Sequence, residues 1–212
     1  MKTIYLIFIA LFFFSCNQKE SNKLAFSAHP KTAVKTFEEK LSEAAISIID
    51  PSVKYDPAYF AIKYPNGDVP RTKGVCTDVI IRAYRKLGID LQKEVHEDMN
   101  ANFTLYPNLK KWGMTKTDTN IDHRRVPNLE VFFERKGIKL AVSEDAKDYK
   151  TGEIVTWMIK DKLPHIGIVT SKKSNDGERN LIVHNVGGGQ VLEDCLFEYK
   201  IVGHFKYKGD LN

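Results

Sequence analysis

The 212 residues suit one folded domain once a targeting segment is set aside, because a single core commonly serves about 100–200 residues. A hydrophobic fraction of 42% with 28% charged residues excludes a disordered chain and a multi-span membrane protein. The net charge of +5 comes from 32 basic and 27 acidic residues that are dispersed along the chain. Without the basic blocks that favour nucleic acid, we expect no nucleic-acid partner.

The N-terminus has the order of an export signal. Lys2 precedes an apolar run from Ile4 to Phe14, followed by Ser15 and Cys16, which matches the charged, apolar and small-residue regions of a signal peptide. The run is too short for a transmembrane helix, which needs about 20 apolar residues. Its end, FFSC, resembles a bacterial lipobox, which implies lipidation of Cys16. A simple secretory signal with an incidental cysteine is the alternative.

The signal divides the chain into three predicted regions. Residues 1–16 form a lipoprotein signal peptide, residues 17–32 a flexible tether, and residues 33–212 a single domain. The mature protein is therefore expected to be exported and held at a membrane by its N-terminal lipid, in the periplasm or at the cell surface.

The domain changes its apolar pattern from helical to extended at about Gly152. Apolar residues recur at helical spacing in the first part and in β-branched and aromatic runs in the second. The predicted helices cover residues 34–48, 79–87, 91–99 and 127–137, and the predicted strands cover residues 153–159, 166–171, 181–186 and 201–207. Residues 55–73 are rich in proline and tyrosine and predict a loop. This order predicts an α+β domain.

Three residues in this pattern suit nucleophilic catalysis. Cys76 opens the second predicted helix, where unpaired N–H groups lower the pKa of a thiol. His165 starts a strand and is the predicted base, and His184 ends the next strand and is predicted to orient it. The polar loop at residues 172–180 contains Asp176-Gly177, a hairpin signal that brings the two histidine strands side by side.

The same residues resemble the NlpC-type cell-wall peptidases of the papain-like superfamily. The segments GEIVTW from Gly152, PHIGIV from Pro164 and LIVH ending at His184 are similar to the strand set of that family, whose cysteine also opens a helix packed on an antiparallel sheet. The resemblance implies a Cys-His-His triad and matches Tyr64 to a family tyrosine that helps stabilise the oxyanion.

The sequence departs from those peptidases around the nucleophile. Val75 precedes Cys76 where they have an acidic residue, and Thr77-Asp78 follows where they have Ser-Gly, which leaves substrate preference open. The mature chain is more similar to an uncharacterised bacterial family with the motifs GVCTDV, DTNIDHRRV and HIGIV.

The segment DTNIDHRRV is the predicted substrate-binding loop. Its arginines present planar forks that suit a substrate carboxylate; a capped, solvated loop is the alternative. The candidate binding residues are Asp78, Asp122, His123, Arg124 and Arg125.

The predicted function is hydrolysis of a peptide or amide bond, in peptidoglycan, without a cofactor or metal. Three alternatives stay open: a non-catalytic wall-binding or partner-binding lipoprotein, an acyltransferase on the same fold, and a metal site of His165, His184 and His123 or Asp122 with Cys76. In an oxidising compartment, Cys76 and Cys195 are also a possible disulfide pair.

Overall fold

Five α-helices lie within residues 34–209, the part of the chain that the computed structural model describes. The predicted signal peptide, Cys16 and the whole of the predicted tether lie outside these residues. The helices are α1 (Phe37–Ser47), α2 (Cys76–Lys86), α3 (Leu91–Ala101), α4 (Asn108–Trp112) and α5 (Val126–Lys136). None of these described helices has the length and apolar character needed to cross a bilayer.

The strands form a six-stranded antiparallel sheet and a separate two-residue parallel pair. In chain order they are β1 (Lys54–Tyr55), β2 (Lys73–Gly74), β3 (Ile138–Lys139), β4 (Ile154–Ile159), β5 (Leu163–Lys173), β6 (Asn180–His184), β7 (Val191–Glu193) and β8 (Lys200–Lys206). The large sheet has the order β3-β8-β4-β5-β6-β7, and β1 pairs with β2. The expected α+β class is confirmed.

Local sequence explains where the main helices begin and end. Thr36 and Glu39 form a reciprocal capping box at the start of α1. Pro127 lies in the first turn of α5, where the N–H that proline lacks would have no acceptor within the helix. Gly88 follows α2 with φ +82°, a left-handed conformation that glycine adopts without strain.

The central strands are buried on both faces, and alternate residues enter two different cores. The helix-side core joins the apolar faces of α1, α2, α3 and α5 to one side of the sheet. It includes Leu41, Ile80, Phe133, Ile166 and Ile168. The loop-side core lies on the other face, under the segments around Tyr149 and Leu196. It includes Val155, Trp157, Val169, Ile182 and Cys195. This period of two is the one expected for strands with both faces covered.

Candidate active site

Cys76 is the first residue of α2 and lies almost completely buried, with 4% of its surface exposed. Val75 supplies the extended residue before the helix, and its N–H donates to Asp78 Oδ2 at 2.6 Å. This bond ties the entering chain to the first turn, in the manner of a capping box. The cysteine therefore stands where the N–H groups of a helix have no intrahelical acceptor.

A buried ion pair fixes this helix start to the DTNIDHRRV loop. Arg124 donates to both carboxylate oxygens of Asp78, each at 3.0 Å, and also to the carbonyl oxygen of Ala58 at 3.1 Å. Thr77 Oγ1 donates to the carbonyl oxygen of Arg124 at 3.1 Å. Two residues predicted to bind substrate, Asp78 and Arg124, thus bind each other and hold Cys76 in place.

The neighbouring loop residues have different environments. Asp122 accepts hydrogen bonds from Asn108 Nδ2 at 2.8 Å and from the N–H of Asp118 at 2.5 Å, so its carboxylate organises the loop. His123 is buried, and its Nδ1 has no hydrogen-bond partner among the described residues. Burial and the charges of nearby arginines lower the pKa of His123 to about 3. The structure does not bring Asp122 or His123 to the cavity at Cys76, whereas Arg125 lines it.

The two strand histidines contact each other. His165 on β5 and His184 at the end of β6 are joined by a hydrogen bond of 2.9 Å between Nε2 of the first and Nδ1 of the second. Gly167 permits this approach, because a Cβ there would lie 2.6 Å from Ile182 Cγ2 and 3.3 Å from His184 Cβ. The hairpin therefore places both imidazoles as its sequence predicted.

Glu193 extends the pair into a chain of three side chains. His184 Nε2 lies 2.9 Å from Glu193 Oε2, and because a carboxylate only accepts, this nitrogen carries the proton. His184 Nδ1 then accepts from His165 Nε2–H, which leaves the lone pair of His165 on Nδ1. Within the described residues, His165 Nδ1 makes no hydrogen bond. The chain therefore supplies a neutral base with a defined tautomer.

Burial keeps both the thiol and the imidazole neutral at rest. Burial raises the pKa of Cys76 to about 12, although the N–H groups of Ile166 and Thr77 at the sulfur oppose this increase. Burial and the neighbouring His184 lower the pKa of His165 to about 3. Burial also lowers the pKa of His184, against the opposing charge of Glu193. Both shifts favour the neutral thiol of Cys76 and the neutral imidazole of His165.

The sulfur of Cys76 reaches β5 at the residue after His165. Its contact is with the backbone N–H of Ile166, and no hydrogen bond joins Cys76 Sγ to His165 in the described part of the chain. His165 pairs in register with Trp157, and their rings are 5.7 Å apart. His165 packs against Trp157 of the loop-side core, whereas Cys76 and Ile166 belong to the helix-side core, so the thiol and the imidazole lie on opposite faces of β5.

An open cavity of about 520 Å³ gives access to Cys76. Its walls include Tyr55, Arg125, Leu163 and Pro164. Burial and the adjacent Cys76 thiol raise the pKa of Tyr55 to about 12, so its hydroxyl keeps its proton at neutral pH. Tyr64, the tyrosine predicted from the family resemblance, instead packs its ring 5.2 Å from that of His96. Tyr55 is the tyrosine that the structure brings to the nucleophile.

A second cavity, of about 580 Å³, has no cysteine or histidine among the described residues that line it. It lies beside Arg82 and Arg85, whose guanidinium groups are bound by Asp68 and by backbone carbonyl oxygens. It therefore lacks the chemistry of the cavity at Cys76, although it is the larger of the two.

The described residues do not support a disulfide or a metal site. Cys76 and Cys195 are both free thiols and belong to the helix-side and loop-side cores, respectively. Cys195 Sγ lies 3.4 Å from His184 Nε2. Within residues 34–209, no group of three histidine, cysteine or acidic side chains is arranged to hold a metal ion.

Together these features define a mixed α+β protein with a helix-opening cysteine at the β5 backbone and a buried histidine pair on β5 and β6. The chain belongs to the family described as "Domain of unknown function (DUF1287)", whose model matches residues 42–207. The predicted membership of a family of unknown function is thereby confirmed.

Two known proteins are similar to this chain. "Uncharacterized protein YijF" of Escherichia coli (strain K12) is 47% identical over 167 residues, which cover 79% of this chain and 80% of that protein. The solved "Structure of NlpC1 from Trichomonas vaginalis" matches 84% of this chain with a TM-score of 0.45 and 15% identity. The match covers 46% of that chain, about half of its length.

Proposed function

We propose that this protein is a cysteine hydrolase that cleaves a peptide or amide bond, with a papain-like, NlpC-type arrangement of its site. The observation that carries the proposal is the position of Cys76, at a helix N-terminus inside an open cavity, against the β5 backbone at the residue after His165. Hydrogen bonds to His184, and from His184 to Glu193, orient the imidazole of His165, the proposed base.

Acylation begins with the neutral thiol. Cys76 Sγ attacks the substrate carbonyl carbon while its proton passes to His165 Nδ1, and the new C–S bond leaves a negative charge on the carbonyl oxygen. The backbone N–H of Cys76 and the Tyr55 hydroxyl donate to that oxygen. The C–N bond then breaks, and the amine departs with the proton from His165, leaving a thioester.

Water completes the reaction by attacking the thioester. His165 takes a proton from the water, and the acid product leaves as the thiol regains its proton. Because His165 and Cys76 are both neutral at rest, the base acts only as the nucleophile attacks. Catalytic hydrogen bonds are often absent from substrate-free sites and form in the complex, and this mechanism requires the His165 ring to turn toward the sulfur when substrate binds.

The proposed substrate is peptidoglycan. The export signal predicted at residues 1–16 and the lipid predicted on Cys16 would hold the domain at a membrane facing the cell wall, the abundant amide polymer outside the cytoplasm. The stem peptides of this polymer bear free carboxylates close to their amide bonds.

The test is cleavage of purified muropeptides, followed by chromatography and mass spectrometry. Wild type is expected to release an amine and an acid, and Cys76→Ala is expected to lose this activity. Thr72→Ala is the control, because it shortens a side chain in the wall of the second cavity and leaves Cys76 and the histidine pair unchanged. Cleavage that survives Cys76→Ala would refute the nucleophile, and no cleavage by wild type would refute the substrate class.

A non-catalytic binding protein is the second candidate function. The absence of a hydrogen bond between Cys76 and His165 within residues 34–209, together with a thiol pKa of about 12, favours it. The two functions differ in the effect of His165→Gln. A hydrolase loses activity in this variant, whereas a binding protein retains its affinity for muropeptides, measured by calorimetry.

A further inference from the structure

The wall of the cavity at Cys76 carries more basic than acidic side chains. Lys111, Arg125 and Lys162 line it, and among the described residues no aspartate or glutamate does. Arg124 also lines it, but its guanidinium is neutralised by Asp78. Lys111 interacts electrostatically with Glu130, which does not line the cavity.

The Arg125 guanidinium is fixed in position, but not all of its N–H donors have hydrogen-bond acceptors. Its guanidinium carbon lies 4.1 Å from the centre of the Trp112 ring, a stacked geometry that fixes the side chain. Its Nη1 is buried without a hydrogen bond among the described residues and forms a longer salt bridge, at 3.5 Å, with Asp122 Oδ1. A buried N–H donor of this kind favours an acceptor from a ligand.

We infer that Arg125, with Lys111 and Lys162, selects substrates that carry a carboxylate next to the scissile amide. A planar guanidinium matches a carboxylate in geometry, and the two lysines add long-range attraction. Trp112 and Leu163, both partly exposed, provide the apolar wall of the same cavity. The inference rests on the proposed hydrolase for the reacting atom, Cys76, but the charge preference is a separate property.

A matched pair of alkylating reagents measures this preference at the nucleophile itself. Iodoacetate and iodoacetamide share the same reactive carbon and leaving group and differ by one carboxylate. Mass spectrometry of each cysteine-containing peptide gives the two alkylation rates at Cys76 at pH 8. The rate ratio of iodoacetate to iodoacetamide is expected to fall about three- to tenfold for each positive charge removed, in Lys111→Met, Arg125→Met and Lys162→Met.

Lys110→Met is the matched control, because it removes the same charge one residue from Lys111 but outside the cavity wall. The ratio should be unchanged in this control, and 1 M salt should reduce the wild-type preference because the Debye length falls to about 3 Å. Equal ratios in wild type and Arg125→Met, or an equal decrease in Lys110→Met, would overturn the inference.

Fluorescence quenching of Trp112 gives a second measurement that needs no reactive thiol. Trp157, the other tryptophan, is fully buried and contributes little. Iodide should quench more strongly than caesium in wild type, and Lys111→Met should reduce that difference. Equal quenching by the two ions would contradict the inference even if Cys76 resists alkylation. Charge preference without muropeptide cleavage would instead refute the proposed function alone.

Discussion

Breaking the Asp78–Arg124 ion pair should destabilise the domain strongly. The two side chains are 3% and 1% exposed, and two bonds of 3.0 Å join them. Arg124→Met leaves the Asp78 carboxylate buried without its charged partner. Asp78→Asn leaves the Arg124 guanidinium buried without its charged partner. Each change should therefore reduce the free energy of unfolding by about 3–5 kcal/mol.

The pair Arg179–Asp194 is a matched control with the same two-bond geometry, at 2.9 and 2.8 Å, on the surface. Its side chains are 31% and 36% exposed, so Arg179→Met should change the free energy by only about 0–1 kcal/mol. Urea unfolding measures these values. The double variant of Asp78 and Arg124 should lose about 2–3 kcal/mol less than the sum of the single variants. Additive losses, or equal losses at the two pairs, would refute the reasoning.

Three further perturbations test other parts of the site. Gly167→Ala places a methyl group 2.6 Å from a β6 side chain and should lower the free energy of unfolding by about 1–3 kcal/mol, whereas Gly188→Ala meets nothing within 4 Å and should change it little. His123 has a folded pKa of about 3, below its ordinary value of 6.5, so the unfolded chain binds the extra proton and stability falls as the pH decreases between those values. Between pH 7 and 5 this histidine should lower the free energy of unfolding by about 2 kcal/mol. Urea unfolding of His123→Gln should not show this decrease. Tyr55→Phe should reduce kcat for muropeptide cleavage about 100-fold, and Tyr64→Phe should leave kcat unchanged. A large decrease in Tyr64→Phe with none in Tyr55→Phe would support Tyr64, the tyrosine predicted from the sequence.

Periodicity predicted the long elements of this domain because each buries a regular apolar face. The helix at Cys76 and the β5–β6 hairpin followed from that periodicity and from the Asp176-Gly177 turn. Short elements gave no such signal. α4 has five residues and β7 has three, too few to repeat an apolar pattern, and Glu193 was missed with β7.

Sequence spacing could not predict contacts between residues that are far apart in the chain. Tyr55 comes near Cys76 because β1 pairs with β2 and places Tyr55 opposite Gly74. No local sequence motif predicts this parallel pairing. Arg124 and Arg125 are adjacent in the chain and both line the cavity, yet Arg124 is bound to Asp78 at 3.0 Å whereas Arg125 Nη1 makes no hydrogen bond among the described residues. Only the packing around them distinguishes the two arginines.

The outer end of the histidine chain is open to water. Glu193 is 49% exposed on β7, at the opposite end of the relay from the cavity. Glu193 thus sets the tautomer of His165 from outside the cavity at Cys76. In the proposed hydrolase, substitutions on β7 would change the basicity of His165 and leave the cavity walls unchanged, so reactivity and selectivity would be separate properties.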